Sequence, residues 1–189
     1  MDKNEHNLAA LQASVRSGVE HDFIFFWGHT PASEGQLDKS CLSQWYPAPF
    51  SVDGIVYPSA EHFMMAGKAR LFGDEEAVQR ILSSNSPKEV KQIGREVRGY
   101  RDDLWYERRF DIVVAGNRAK FSQHPELLAY LLATGGCVLV EASPLDKVWG
   151  IGLAADHPQV TDPFAWRGLN LLGFALMVVR DKLALAAAP

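Results

Sequence analysis

Helix signals follow one another almost without a break from residue 59 to residue 132, and they constrain the fold more than any other feature of the sequence. Ser59 is a good N-cap for a helix that runs to Phe72. Ser86 followed by Pro87 predicts a second helix start, because proline at the first helical position removes no helical hydrogen bond. The predicted helices cover residues 59–72, 74–83, 87–98, 102–121, 125–132 and 164–187.

Short apolar runs outside these helices predict a small sheet. Residues 23–27 are aromatic or β-branched, which is typical of a buried strand, and residues 137–140 are a further candidate. Asp53-Gly54, between residues 50–52 and 55–57, predicts a hairpin because this dipeptide readily adopts the positive φ angles of a two-residue turn. We therefore predict an α+β fold that is mostly helical, a single domain with a small, at least partly antiparallel sheet surrounded by helices.

The length of 189 residues suits one full-sized domain with its own core. We assign residues 23–185 to this domain. Residues 1–22 are predicted to be an N-terminal extension, in which a weak helix around Leu8 and Leu11 frays because little there demands packing.

Composition and charge limit the compartment and the partners. The net charge of −4 argues against a broad basic surface for nucleic acid. Cys41 and Cys137 fit neither a disulfide framework nor a zinc pattern. The acidic start lacks the features of an export signal, and the apolar stretch at residues 169–179 is shorter than the ~20 residues that span a bilayer. We expect a cytoplasmic protein that does not contact a membrane.

Residues 139–152, LVEASPLDKVWGIG, are the most informative segment for function. Charged side chains are rarely buried unless paired, so Glu141 and Asp146 close to Trp149 predict the rim of a small-molecule site. Residues 150–155 also fit the dinucleotide pattern G-x-G-x-x-A. Because no strand directly precedes this pattern and Pro158 follows it, we reject a dinucleotide site.

Glu61 and Lys68 are seven residues apart in a predicted helix, so their side chains share one face about two turns apart. They are candidates to flank one ligand. The alternative for Glu61 is an acid in the first helical turn that interacts with the helix macrodipole and binds nothing. His62 has no second histidine three or four residues away, which favours a structural role over metal binding.

Basic residues recur at helical spacing in one later segment. They are Lys88, Lys91, Arg95 and Arg98. A phosphate group would fit this stripe, and the alternative is a solvated helix surface. Arg118 and Lys120 leave the same two alternatives open.

The sequence has no G-x-S-x-G elbow, no P-loop and no paired-cysteine motif. Its candidate groups are carboxylates, lysines and aromatic rings. Glycosidic bond cleavage needs a carboxylate to stabilise an oxocarbenium-like centre or activate water, a proton donor and flat side chains to hold the ring. Five tryptophans are available, although several must belong to the core: Trp27, Trp45, Trp105, Trp149 and Trp166.

A series of short motifs runs from residue 23 to residue 182. It comprises Phe25-Phe26, Phe50, Pro58-Ser-Ala-Glu61-His62, Lys68-Ala69, Phe72, Lys91-Gln-Ile-Gly94-Arg95, Trp105, Lys120-Phe121, Glu141-Ala-Ser143, Asp146-Lys-Val-Trp149-Gly150-Ile-Gly152 and Trp166-Arg-Gly168-Leu-Asn170-Leu-Leu-Gly173. In order and spacing these motifs resemble the NADAR or YbiA-like family. Each is weak alone, but the set is specific.

The resemblance implies an N-glycosidase, a hydrolase that cleaves the bond between a ribose carbon and a base nitrogen. The family acts on phosphoribosylamino-pyrimidine intermediates of riboflavin synthesis or on ADP-ribosyl-guanine adducts of nucleic acid. We therefore expect a small nucleotide-like substrate, with ADP-ribosylated DNA or guanosine as the second candidate. The expected chemistry requires no metal and no cofactor, and the oligomeric state is left open.

The resemblance also implies site residues. The candidate catalytic residues are Glu61, Lys68 and Asp146. The candidate substrate-binding residues are Trp105, Trp149, Gly150, Asn170 and, as phosphate contacts inferred from charge, Lys91 and Arg95.

In the expected mechanism, Glu61 or Asp146 orients water or stabilises positive charge at the anomeric carbon. The base stacks on Trp149 or Trp105. Lys68 either holds a phosphate or ring oxygen, or attacks the sugar carbon and forms a Schiff base with the opened ribose.

Two other functions stay open. One is a non-catalytic module that binds ADP-ribose or a related nucleotide, and the other is a helical scaffold. Glu61, Lys68 and Asp146 favour the enzyme, because a pure binding module does not need all three. The residues that recognise the base are expected in the loops at residues 31–45 and 154–164, which show no readable pattern.

Overall fold

The computed structural model describes residues 7–33 and 35–187. The helices are α1 (Leu8–Arg16), α2 (Ala60–Leu71), α3 (Glu75–Ser83), α4 (Pro87–Arg95), α5 (Asp102–Gln123), α6 (Pro125–Ala133) and α7 (Leu171–Ala187). The strands are β1 (Phe23–Phe26), β2 (Phe50–Val52), β3 (Ile55–Tyr57) and β4 (Val138–Glu141), and a short 3-10 helix spans Lys39–Leu42. The predicted α+β class, mostly helical with little sheet, is confirmed.

The strands of the described residues form two separate two-stranded sheets. β2 and β3 are antiparallel, and the turn between them places Asp53 at φ 50° and Gly54 at φ 76°, as the hairpin signal predicts. β1 and β4 pair in parallel, from Phe23 opposite Val138 to Phe26 opposite Glu141. The antiparallel part was therefore predicted correctly, whereas the parallel pair joins segments too far apart in sequence for local patterns to reveal.

The chain forms two compact units. The middle unit is Gln44–Leu128, and the terminal unit combines the described parts of Met1–Ser43 and Ala129–Pro189. In the middle unit, α2 packs against α3, α4 and α5 and buries Met64 and Ala66. In the terminal unit, β4 is buried between β1 and α7.

Two glycines allow α2 and α5 to pack closely in the middle unit. A Cβ on Gly67 would lie 2.8 Å from Ile112 Cγ2, and a Cβ on Gly116 would lie 2.6 Å from Phe63 Cδ1. From the first contact to the second, the position on α2 moves from 67 back to 63, while the position on α5 moves from 112 forward to 116. The two helices are therefore antiparallel at this contact. This helix pair carries Glu61, Lys68 and Trp105.

The final helix begins at Leu171 and not at the predicted residue 164. Asn170 has φ 53°, which interrupts a helix, and the N–H of Leu169 donates to the carbonyl oxygen of Lys147. Residues 164–170 thus use their backbone groups to hold a neighbouring loop. Including α7, no helix in the described ranges is long and apolar enough to cross a membrane.

The predicted N-terminal extension contains a regular helix where fraying was expected. The side chain of Asn7 caps α1 by accepting from the N–H of Ala10, and Leu11 is buried. Gln12 donates to the carbonyl oxygen of Pro163, and the guanidinium carbon of Arg16 lies 4.8 Å from the Phe164 ring centroid. These contacts, which are long-range in sequence, order the helix. Residues 1–6 lie outside the described residues.

Candidate functional site

Glu61 is buried at the start of α2, with only 2% of its surface exposed. It lies in the first turn, where the helix macrodipole stabilises an acid. Its N–H donates a 2.9 Å hydrogen bond to the carbonyl oxygen of Gln44. A carboxylate that only serves the macrodipole can stay in water, so the burial of Glu61 requires a further cause.

His62 is a structural residue, as its isolation from other histidines predicts. Ser59 is the N-cap of α2, but its hydroxyl bonds the ring at 2.8 Å from Nδ1 and makes no bond to a helix N–H. His62 Nε2 lies 3.1 Å from the carbonyl oxygen of Ser84, which can only accept, so Nε2 carries the proton. Burial lowers the pKa of His62 and favours this neutral ring.

Lys68 lies in a pocket of aromatic rings. Its Nζ donates a 2.6 Å hydrogen bond to the carbonyl oxygen of Gly94 and lies 4.4 Å from the Tyr100 ring centroid and 5.5 Å from the Trp105 ring centroid. Burial lowers the pKa of Lys68, and the nearby negative charge of Asp102 partly opposes this shift. We call these four residues, Lys68, Gly94, Tyr100 and Trp105, the amine pocket.

Tyr100 is a pocket residue that the sequence reasoning missed. Its hydroxyl donates a 2.9 Å hydrogen bond to Asp102 Oδ1, and its ring packs edge-on against Phe72. Burial, followed by the hydrogen bond to Asp102, raises the pKa of Tyr100 to about 12. The phenol therefore stays protonated at neutral pH. Its position just before a helix gave no sequence signal of contact with Lys68.

Gly94 places the acceptor for Lys68. A Cβ at this position would overlap Met65 Sδ on α2, so a larger residue here would have to displace the Met65 side chain. Met65 is thus the neighbour of Gly94 across this contact. The tight contact brings the Gly94 carbonyl to the Lys68 amine.

One residue of the predicted basic stripe, Arg98, is ion-paired with acids of the same unit. The Arg98 guanidinium forms ion pairs with Asp74, 2.6 Å away, and with Glu76. The backbone N–H of Arg98 also donates to Asp74, so it is not used in a helix, and α4 ends before the predicted residue 98. Lys91 lies 5.8 Å from the Trp45 ring centroid, and Arg95 is exposed. The phosphate contacts expected of Lys91 and Arg95 stay predictions.

Arg118 and Lys120, which the sequence treated alike, differ sharply. Arg118 is exposed on α5, whereas Lys120 is fully buried, with its Nζ 5.5 Å from the Tyr46 ring centroid. Residues two apart in a helix point in different directions, so Lys120 lies on the face of α5 that packs inside the unit and Arg118 lies on the exposed face.

Gln44 and Asn117 form a buried polar contact beside Glu61 that the sequence reasoning also missed. Asn117 Nδ2 donates to Gln44 Oε1 at 2.7 Å, and the backbone carbonyl of Gln44 accepts from Glu61. Asn117 is fully buried in mid-helix, where asparagine is a poor helix former. An asparagine in the middle of a predicted helix is therefore the sequence signal that could have identified Asn117.

In the terminal unit, Asp146 organises the loop that follows β4. Its Oδ1 accepts hydrogen bonds from the N–H groups of Val148 and Trp149, both at 2.8 Å, and its own N–H donates to Ser143 Oγ. Short polar side chains commonly fix turns in this way. We call residues 143–152 the Asp146 loop.

Gly150 and Trp149 lie in this loop. A Cβ on Gly150 would lie 2.8 Å from the carbonyl oxygen of Glu141, so the loop can close on β4 only with glycine here. Trp149 is half-buried and its carbonyl accepts from the N–H of Leu172 at the start of α7. Residues 150–155 contain no helix, in agreement with the rejection of a dinucleotide site.

Asn170 connects α7 to β4. Its Oδ1 accepts from the N–H of Glu141 at 3.0 Å, and its Nδ2 donates to the carbonyl oxygen of Leu139 at 2.9 Å. Asn170 is fully buried and has a positive φ, which asparagine tolerates better than most residues. Its amide group is therefore used within the protein.

The predicted site residues thus fall into two groups. The middle unit brings Lys68 and Trp105 together in the amine pocket and carries Glu61, Lys91 and Arg95 on α2 and α4. The terminal unit brings together Asp146, Trp149, Gly150 and Asn170. Across residues 7–33 and 35–187 there is no cluster of three or more His, Cys, Asp or Glu side chains suited to a metal ion.

The fold has a solved relative. A solution structure of the Escherichia coli protein YbiA aligns with a TM-score of 0.71 and 30% identity, covering 89% of this chain and 88% of that one. The fold is therefore that of the YbiA-like proteins, which fits the mostly helical architecture.

Sequence comparison identifies the family. The chain is 42% identical over 165 residues to an N-glycosidase of Acanthamoeba polyphaga mimivirus, covering 85% of this chain and 95% of that protein. It is 34% identical to the N-glycosidase YbiA of Escherichia coli (81% and 85% covered) and 31% identical to a riboflavin biosynthesis protein of Vibrio vulnificus, of which it spans 42%. The model of the NADAR domain matches residues 25–184. The chain belongs to the NADAR family.

Proposed function

We propose that this chain is an N-glycosidase, a hydrolase that cleaves the bond between ribose C1 and a base nitrogen in a nucleotide-like substrate. The observation that carries the proposal is the arrangement on α2, where the buried acid Glu61 shares a helix face with the half-buried amine of Lys68, whose pKa burial lowers. Seven residues of helix separate the two by ~10 Å along the axis, which is the scale of a ribosyl group with its substituents. Relatives named N-glycosidases support the reaction class.

Glu61 supplies negative charge at the anomeric carbon. As C1–N cleavage proceeds, positive charge develops on the ring, and a carboxylate in a dry environment stabilises it more strongly than one in water. Asp146 is the second carboxylate of the proposal, and its role is to activate water or protonate the departing base. Only Oδ1 of Asp146 accepts the hydrogen bonds that form the turn, so Oδ2 is the oxygen assigned to chemistry.

Lys68 acts as a nucleophile in the covalent version of the mechanism. The neutral amine bonds to C1, the C1–N bond to the base breaks and the base nitrogen takes a proton. Ring opening then gives a protonated imine, which water hydrolyses to the sugar, still carrying its phosphate or ADP group, and free Lys68. The lowered pKa of Lys68 supports this version, since the neutral amine forms at lower pH than usual. In the non-covalent version the ammonium group holds a phosphate or ring oxygen.

The remaining predicted residues bind and position the substrate. Trp149, which is half-buried, is the better stacking platform for the base, because Trp105 is buried and its ring already faces Lys68. Lys91 and Arg95 on α4 contact phosphate. Gly150 and Asn170 act through the loop: Gly150 lets it close on β4, and the N–H of Asn170 donates to the carbonyl oxygen of Gly150, next to Trp149.

The substrate is a phosphoribosylamino-pyrimidine or an ADP-ribosylated guanine, the latter as guanosine or in DNA. We place the reaction in the cytoplasm, which the lack of a disulfide at Cys41 and Cys137 supports.

Product analysis tests the function. The protein is incubated separately with a phosphoribosylamino-pyrimidine, ADP-ribosylated guanosine and ADP-ribosylated single-stranded DNA, and products are identified by mass spectrometry. We expect a free base from at least one of them. Glu61→Gln should abolish release while the exposed control Glu107→Gln retains it. If no substrate is cleaved but ADP-ribose binds, the chain is a binding module and the proposal is wrong.

Borohydride reduction separates the two roles of Lys68. In the covalent version, reduction during turnover leaves the ribosyl fragment attached to Lys68, and Lys68→Met abolishes the adduct whereas Lys182→Met, at an exposed position of α7, does not. Turnover without any adduct excludes the Schiff base and leaves the binding role.

A further inference from the structure

Lys120 is a fully buried lysine that the proposed mechanism does not use. It lies on α5 with 0% of its surface exposed, and its Nζ is 5.0 Å from the Phe121 ring centroid and 5.5 Å from that of Tyr46. Aromatic faces attract an ammonium group but offset only part of the cost of removing it from water. A fully buried lysine therefore calls for an anionic partner.

The acids of the middle unit narrow the choice of partner. All residues from 44 to 128 are described, and only two carboxylate side chains among them are buried, Glu61 and Asp74. Asp74 is bonded to the side chain and the N–H of Arg98 and caps α3. Glu61 is therefore the buried acid left to balance the charge of Lys120.

The register of α2 and α5 leads to the same pair. Gly67 meets Ile112 and Phe63 meets Gly116, four residues apart on each helix. One more turn in the same directions brings Lys120 level with Ser59, next to the first turn of α2 where Glu61 lies.

Hydrogen bonds tie the two positions together independently. Gln44 accepts from the N–H of Glu61 through its backbone carbonyl and from Asn117 through its side chain. Asn117 precedes Lys120 by three residues and shares its face of α5. Tyr46, two residues after Gln44, has its ring centroid 5.5 Å from the Lys120 amine. The segment 44–46 thus contacts both ends of the inferred pair.

We propose that Lys120 forms a buried ion pair with Glu61 and keeps this carboxylate ionised and oriented for catalysis. Lys120 is then a positioning residue, and Glu61 works as an anion that stabilises positive charge at the anomeric carbon, not as a proton donor. The assignment of the catalytic effect rests on the proposed glycosidase function, whereas the ion pair itself does not.

A double-mutant cycle tests the pair without any activity measurement. Thermal unfolding is measured for the wild type, Lys120→Met, Glu61→Gln and the double variant. Each single change leaves one buried charge without its counterion, so each should lower Tm. The decrease in Tm of the double variant should be clearly smaller than the sum of the decreases of the two single variants. Arg118→Met, two residues away on the exposed face, is the control: its effect on Tm should simply add to that of Glu61→Gln. Additive losses in the Lys120 cycle overturn the ion pair.

The pH profile of kcat/KM then tests the catalytic effect. With the ammonium removed, the Glu61 carboxyl binds its proton more tightly, so the acidic limb of the Lys120→Met profile should move to higher pH, and Lys120→Arg should move it back. A variant that refolds and turns over with an unmoved acidic limb overturns the positioning role. If the wild type has no glycosidase activity but the cycle shows coupling, the proposed function fails and the ion pair stands.

Discussion

The amine of Lys68 is held by the backbone carbonyl of Gly94, 2.6 Å away, at the position on α4 where a Cβ would overlap Met65 Sδ of α2. A carbonyl oxygen accepts from either protonation state of an amine and so fixes its position without fixing its charge. The charge is set instead by burial, which favours the neutral form, and by Asp102, which favours the ammonium form.

The first prediction concerns this balance of charge. Asp102→Asn removes the group that raises the pKa of Lys68, so the pKa should fall further and the neutral amine should form at lower pH. If the neutral amine attacks the sugar, the inflection assigned to Lys68 in the pH profile of kcat/KM moves to lower pH. Asp103→Asn is the matched control, because Asp103 is exposed and pairs with Arg101. An inflection that rises in Asp102→Asn contradicts the assignment.

The second prediction concerns the contact of α2 with α5. Gly116→Ala places a methyl group against the Phe63 ring, which is rigid, and overpacking of this kind costs ~1–3 kcal/mol, against a helix-propensity gain of about 1 kcal/mol. We expect a net loss of unfolding free energy in urea. Gly136→Ala, where a Cβ meets nothing within 4 Å, should show no loss. Equal stability of the two variants would mean that the helices are not in close contact at Gly116.

The third prediction concerns acid stability. Hydrogen bonds from Arg98 hold the pKa of Asp74 well below its ordinary value of 3.8. A carboxyl whose pKa is lower in the folded protein stabilises it above the unfolded pKa, and that contribution is lost as pH falls through the folded value. The stability difference between wild type and Arg98→Gln should therefore be largest near neutral pH and shrink below pH ~4. Arg101→Gln, at an exposed ion pair, should show little difference at either pH.

Local signals were enough to predict much of the middle unit. The hairpin at Asp53-Gly54 and the N-cap Ser86 depend on a few adjacent residues, and both are present as expected. Ser59 stands at the N-cap position of α2 as predicted, but its hydroxyl bonds His62 and no helix N–H. The pairing of β1 with β4 depends instead on contacts between distant segments, which a single sequence does not encode in a readable pattern.

The candidate site divides in the same way. Glu61 and Lys68 were predicted as a pair because helical spacing is a local property. The burial of Lys120 and the contact of Tyr100 with Lys68 could not be predicted, since both depend on which helix face or loop meets a neighbour.

The fourth prediction concerns Asn170. Asn170→Ala removes the acceptor for the N–H of Glu141 and the donor to the carbonyl oxygen of Leu139. Leu139 is buried, so the loss of its partner should cost about 1–3 kcal/mol, and the half-buried Glu141 should add less. Asn170→Gly should be less destabilising than Asn170→Ala, because glycine tolerates the positive φ. Urea unfolding measures both, with the exposed Asn85→Ala as control. Wild-type stability of Asn170→Ala would show that these hydrogen bonds contribute nothing.

The last prediction separates the two uses of Asp146. Asp146→Asn keeps an oxygen that accepts from Val148 and Trp149, so the loop should fold and Tm should stay near the wild-type value. It removes the negative charge, so kcat/KM should fall by about 100-fold or more if the carboxylate takes part in proton transfer. Asp146→Ala removes both and should lower Tm as well as activity. Asp156→Asn, at an exposed position, serves as the charge control. Full activity in Asp146→Asn together with loss in Asp146→Ala would make Asp146 a turn residue alone.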